Sequence, residues 1–323
     1  AEGDFDKAKE LLRERGLAIA AKRSDRETSN GCVLVKKVND FAAIIALKCE
    51  TDFVANGADF IKLTSDILDA AIAAKAHTLD EVKTLKVGDA DAQAAVTQRS
   101  GITGEKMELD GYCVLEGDNI EVYDHMNKHT LCTMVQLNEN NEEAGHKVAM
   151  QVAAMRPVAL DESSVSEETK KTELEVAVAK TKEELVEKAV NAALKKAGIN
   201  PAHVDSEEHI ESNTKKGWLT PEQAEEARNI KKTVGEEKAA TLNPTMIQNI
   251  ANGRLAKFFK ENCLVDQAFI KDGNMDVNAY VNATAKKLGG DIKIVEYTHF
   301  IKGEGLEKRV DDFAAEVAAA VKG

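Results

Sequence analysis

The 323-residue sequence lacks an excess of positive charge. Its formal net charge is −13, which argues against a surface that tracks phosphate backbones, because such binding needs clustered Lys and Arg to release counterions. A protein partner is expected instead, with no direct nucleic-acid binding. Paired cysteines are missing too: Cys32, Cys49, Cys113, Cys132 and Cys263 are scattered, with no CxxC spacing. That pattern excludes a disulfide framework and reads as reduced, buried thiols in a cytoplasmic chain. No apolar run approaches the roughly 20 residues needed to span a bilayer. The opening "AEGDFDKAKELLRERG" is charged from its second residue, unlike a signal peptide. Aromatics are scarce at 4%, while Ala, Glu and Lys abound, a composition that favours helices.

Chemistry-bearing motifs are equally sparse. No GxxxxGK[ST] phosphate loop occurs, and "GITGEK" lacks the spacing and the final hydroxyl. The "GGD" and "GEG" stretches read as turns, since neither opens a helix with a third glycine. The seven histidines show no HExxH or paired spacing, and His125 and His129 straddle an expected strand turn. No metal and no cofactor are therefore expected. Cys49 has Glu50 and Asp52 close by near a turn, but neighbouring carboxylates raise a thiol's pKa and suppress the thiolate. A structural Cys49 is the reading, and the chain is not expected to be an enzyme.

What is present is organisation. Phe5, Ala8, Leu11 and Leu12 predict an amphipathic helix ending at Gly16, with "LAIAAKRSDRETSNG" as a linker. "CVLVKKV" and "AAIIALKC", joined through "NDF", predict a β-hairpin. "ADFIKLTSDILDAAIAAK" carries Phe60, Leu63, Ile67 and Ala71 on one helical face. Residues 105–138 supply about three more strands. An internal echo links "AAIIALKCETDFVANGADFIKLTSDILDAAIAA" with "LCTMVQLNENNEEAGHKVAMQVAA", each a strand, an acidic loop and a helix.

The fold class is therefore α+β, with two related subdomains at 29–142 and 143–302. Each is a small antiparallel sheet covered by helices, the second completed by "CLVDQAFIKD" and "DIKIVEYTHFIKG". Charged helical stretches predict a projecting hairpin at about 160–245, its second helix opened by Thr220 and Pro221. Terminal helical pieces occupy 1–28 and 303–323, the latter striped by Leu306, Val310, Phe313, Val317 and Val321.

One stretch resists this account. In "CETDFVANGADF", residues 49–60, Phe53 follows a hydroxyl and a carboxylate where turn chemistry should take over. Taken alone, the pattern favours a ring tucked into the core, with an exposed ring as the other reading. The stretch resembles the signature of the elongation factor Ts family, the nucleotide-exchange factors for elongation factor Tu. "LRERGLAIAAKR", "VAMQVAA" before Pro157, "GRLAKFFKENCLVDQAFIKD" and "GEGLEKRVDDFAAEVAA" resemble further family segments in order, so the match spans nearly the whole chain. There are departures. The chain starts inside the family's N-terminal helical module, the 160–245 hairpin is longer than usual, "HMNKHT" lacks a glycine-rich tip, and Gln151 stands where His is common.

The resemblance implies a binding protein that catalyses GDP release without covalent chemistry. Asp52 and Phe53, flanked by Thr51 and Val54, would reach the partner's nucleotide domain, Phe53 wedging between two helices and disturbing its magnesium and phosphate pocket. Lys22, Arg23, Lys128, His146, Gln151 and the tail residues Leu306, Val310 and Phe313 are the other expected contacts. Two alternatives are a scaffold or chaperone-like protein acting through the hairpin, and a thiol enzyme using Cys49. No membrane contact is expected, and a homodimer stays open.

Overall fold

The computed structural model describes residues 5–23, 26–288 and 290–302. The chain divides into two compact units, 1–157 with 268–323, and 158–267. The first unit opens with α1 (Phe5–Lys22), β1 (Asn30–Val38) and β2 (Phe41–Cys49). The single turn α2 (Asp52–Ala55) and the long α3 (Ala58–Ala74) follow. Next come α4 (Leu79–Thr84), the ribbon of β3 (Lys86–Val87) and β4 (Ala90–Asp91), and α5 (Ala92–Thr103). β5 (Met107–Glu116), β6 (Ile120–Asp124), β7 (Leu131–Leu137) and α6 (Glu142–Met155) complete its first pass. The second unit supplies α7 (Glu167–Lys196), α8 (Glu207–Lys215), α9 (Pro221–Ala240) and α10 (Pro244–Asn262). The chain then re-enters the first unit through β8 (Ala268–Phe269), β9 (Asp272–Asp276), α11 (Val277–Leu288) and β10 (Ile294–Ile301).

The fold is α+β, as the sequence predicts. One antiparallel sheet has the order β1-β2-β5 and another β10-β7-β6. β1 and β2 pair from Asn30 with Cys49 to Val38 with Phe41, so Asn39 and Asp40 form a two-residue turn, with Asn39 at φ 56°. Asn tolerates that left-handed region better than most residues. Every position of β2 is buried, and its period-2 alternation explains why. Phe41, Ile45 and Leu47 face a core shared with Phe60 and Ile67 of α3 and Val96 of α5. Ala42, Ile44 and Ala46 face the other sheet, meeting Val33, Leu115, Ile120, Cys132 and Met134. The second sheet's outer side is covered by α6, where Val148, Ala149 and Val152 are buried and Thr133 Oγ1 donates to the Ala149 carbonyl at 3.0 Å. The result is a helix–sheet–sheet–helix stack.

Three expectations need correction. Gly16 does not end α1, which runs on through "LAIAAK". It lies instead where α1 crosses α5: a Cβ on Gly16 would stand 2.0 Å from the Thr97 carbonyl oxygen, and one on Gly101 would stand 2.2 Å from that of Leu12. Glycine is needed there because two backbones touch. "CLVDQAFIKD" does not complete the second sheet; Leu264–Asp266 is a 3-10 turn, and Ala268 and Phe269 pair with Asp276 and Asp272 in a separate ribbon. "DIKIVEYTHFIKG" does supply the outer strand, with Tyr297 opposite Val135. The boundary at 142 falls after β6 and β7, which belong to the second sheet, because the short turn after β5 carries the chain directly from one sheet to the other.

The hairpin expected over 160–245 is part of a larger helical unit. α7 packs on both α9 and α10, and its contact with α8 and α9 is built around Val190, Leu194, Ile199, Val204, Ile210, Leu219 and Ala227. Thr220 caps α9 as the sequence predicts, its Oγ1 accepting from Gln223 N at 3.2 Å with Pro221 in the first turn. Among the described residues, no helix is long and apolar enough to cross a membrane.

Candidate functional site

The site is built where β2 ends. Thr51 leaves the strand in extended backbone, φ −117° and ψ 153°, and becomes the N-cap of α2. Its Oγ1 accepts from Val54 N at 3.4 Å. The Asp52 and Val54 carbonyls accept from Asn56 N and Gly57 N, each at 3.0 Å, and α3 starts at once. Ala55 within this turn and Phe60 in the first turn of α3 are buried in the same core. Phe53 is not: 86% of it is exposed, the largest value among the exposed large apolar side chains of the described residues. The reading that tucks Phe53 into the core is therefore overturned. Helical geometry explains the split, since one turn that buries Ala55 and continues to Phe60 aims position 53 the other way. Asp52 and Thr51 are exposed beside it, and Val54 is half-buried. With Asn56, Gly57, Arg99 and Thr103 these residues line an open concavity.

Two carboxylates from the same neighbourhood clasp this segment. Glu50 accepts from Arg23 Nη1 at 2.7 and 2.8 Å and from Lys106 N at 2.8 Å. Glu105 accepts from Thr51 N at 3.1 Å and Thr51 Oγ1 at 2.5 Å. Burial pushes the Glu50 carboxyl up, but Arg23 and the Lys106 amide more than offset it and hold the group below its ordinary value. Cys49 Sγ donates to the Thr51 carbonyl at 3.2 Å. Its thiol is pushed up to about 12 by burial first and the Glu105 charge second, so it stays protonated at neutral pH and is a poor nucleophile.

The other expected contacts are dispersed. Lys22 is exposed at the end of α1, and Arg23 beside it is tied to Glu50. Lys128 is exposed in the turn between β6 and β7, where Met126, Asn127 and His129 all have positive φ and His129 Nδ1 meets Asp124 Oδ2 at 2.5 Å. His146 is exposed on α6, edge-on to Tyr123 at 5.4 Å. Gln151 requires a correction. It is fully buried, its Oε1 accepting from Ile270 N at 2.8 Å and its Nε2 donating to the Ala268 carbonyl at 3.1 Å. Both ends of its amide are spent inside the first unit, where it holds the β8–β9 ribbon to α6. Leu306, Val310 and Phe313 lie outside the described residues. The sequence reading missed Glu105, whose only signal was the Gly104 before it. Among the described residues, no group of three or more His, Cys, Asp or Glu is arranged to hold a metal.

A family model described as elongation factor TS matches residues 50–304, which includes the exposed Phe53 turn. The chain belongs to the elongation factor Ts family. It is 60% identical over 301 residues to elongation factor Ts of Bacteroides fragilis, covering 93% of this chain and 90% of that one. Elongation factor Ts of Parabacteroides distasonis is 57% identical over 300 residues with the same coverage. That of Porphyromonas gingivalis is 35% identical over 287 residues, covering 88% and 84%. Family membership makes the chain a translation elongation factor of the kind that serves elongation factor Tu as its nucleotide-exchange factor.

Proposed function

We propose that the chain binds elongation factor Tu in its GDP-bound form and drives GDP release by inserting Phe53 into the GTPase domain. The observation that carries this reading is the ring's 86% exposure on a turn braced at Thr51 and anchored by buried Ala55 and Phe60. An apolar ring held out by rigid backbone loses little conformational freedom on insertion, and it has water to leave. Asp52 beside it supplies the polar half of the pair.

Burying one phenylalanine is worth about 1.5–3 kcal/mol, so Phe53 accounts for only about ten- to a hundredfold in rate. The rest requires a broad contact of roughly 1,600 Å², to which Lys22, Lys128 and His146 are open and to which the tail residues Leu306, Val310 and Phe313 are assigned. Exchange is reciprocal: only contacts stronger with the empty GTPase than with the filled one contribute. Release of fluorescent GDP from elongation factor Tu tests the proposal. Wild-type chain accelerates release, and Phe53→Ala reduces the acceleration by about ten- to a hundredfold. No acceleration by the wild type refutes the exchange reading; a fully active Phe53→Ala refutes the wedge alone.

A further inference from the structure

The Phe53 ring is too exposed to hold itself, so its direction depends on the backbone of α2. That helix has four residues, far fewer than a helix needs to persist unaided, and its cap bond from Val54 N to Thr51 Oγ1 is long at 3.4 Å. Something else must keep the turn in place, and Glu105 is placed to do so. Its two oxygens accept from Thr51 N and Thr51 Oγ1. By donating to Glu105, the Thr51 hydroxyl is polarised as an acceptor for Val54 N, so one carboxylate reinforces the cap bond as well as its own. Glu105 is itself fixed. Gly104 ends α5 at φ 78°, in the left-handed region that favours glycine, and Gly104 N donates to the Ser100 carbonyl at 2.8 Å. Ser100 Oγ then donates to the Glu105 carbonyl at 2.5 Å, and the next residue, Lys106, donates its amide to Glu50. Adjacent residues 50 and 51 thus interlock with adjacent residues 105 and 106.

We propose that Glu105 is the positioning residue of the exchange site: by gripping Thr51 it fixes the angle at which Phe53 leaves the surface and so sets how efficiently GDP is expelled from the partner. This rests on the wedge reading of Phe53. The test compares wild type, Glu105→Ala, Glu105→Gln, Phe53→Ala and the Glu105→Ala/Phe53→Ala double variant in fluorescent-GDP release from elongation factor Tu. Thermal unfolding and amide hydrogen exchange of residues 53–57 are followed in parallel. Glu105→Ala is expected to slow release about five- to tenfold, the scale of losing a helix cap, with an unchanged melting temperature and faster amide exchange in the turn. Glu105→Gln, which keeps one acceptor, loses less. In the Phe53→Ala background Glu105→Ala adds no further loss, because its effect passes through the ring. Full activity of Glu105→Ala beside an impaired Phe53→Ala overturns the proposal, as does an equal loss in both backgrounds or unaltered amide exchange. An unimpaired Phe53→Ala overturns the wedge itself and with it the exchange role of Glu105, while the amide-exchange arm alone reports whether Glu105 holds the turn.

Discussion

The two strand–loop–helix repeats of the first unit share a plan and differ at one joint. In the second, β7 passes through a four-residue connection to α6, whose cap Asn141 accepts from Ala144 N at 2.8 Å. In the first, the turn α2 is spliced between β2 and α3, and α3 starts from Gly57 with no side-chain cap. The second joint returns the chain to the sheet and ties down the approach to β10, Asn138 Nδ2 donating to the Asp291 carbonyl at 2.6 Å and its Oδ1 accepting from Lys293 N at 2.5 Å. The first moves its capping chemistry one turn upstream, to Thr51 and Glu105, and carries a large apolar ring into solvent. Two similar scaffolds therefore support a tying connection and a presenting one, and the difference lies in where the hydrogen bonds are spent.

The sharpest way to break this comparison is to remove what anchors each repeat. Phe60→Ala empties a fully buried site under the first joint and is expected to cost about 3–5 kcal/mol in denaturant unfolding; a loss below about 1 kcal/mol would mean that the turn has no such anchor. Gln151→Ala in the second repeat strands the Ile270 amide and the Ala268 carbonyl, an expected loss of about 1–3 kcal/mol. GDP release should change only as far as folded protein is lost, and a release defect in fully folded protein would restore Gln151 as a contact.

Smaller is Glu50→Gln, which weakens the clasp at Arg23 and Lys106. Because the Glu50 carboxyl is held below its ordinary value of 4.5 in the folded chain, its stabilisation is complete above that pH and is lost as the pH falls through the lower folded value. The variant and wild type should differ in unfolding at pH 7 and converge in acid, by an amount that water screening keeps modest. Smallest of all is the effect of Phe53→Ala on stability, within about 0.5 kcal/mol, the opposite of Phe60→Ala seven residues away; a large loss would place the ring inside after all.

Much of this was legible in the residues. Runs of β-branched and aliphatic residues located β1 and β2, the 3.6-residue stripe located α3, and Thr220 with Pro221 located the start of α9, because each is a local pattern answering to a local rule. The strand that failed, "CLVDQAFIKD", is short and apolar, and periodicity cannot separate such a run from a buried turn. Gly16 misled because a helix-stopping glycine and a helix-crossing glycine look alike until the partner helix is known. Composition could not decide the exposure of Phe53, since burial is a tertiary fact; the family signature and the turn geometry were both needed. Gln151 was misplaced for the same reason, its polar head being satisfied by backbone 117 and 119 residues distant.

The glycine crossing has a mechanical corollary. α5 touches α1 at Gly101 and, three residues later, reverses at Gly104 into the brace for the presenting turn. The N-terminal helix and the projecting ring are thus mounted on the two ends of a single short axle, less than one helical turn long. The glycine that admits α1 and the glycine that turns the chain toward Glu105 therefore share one stretch of backbone.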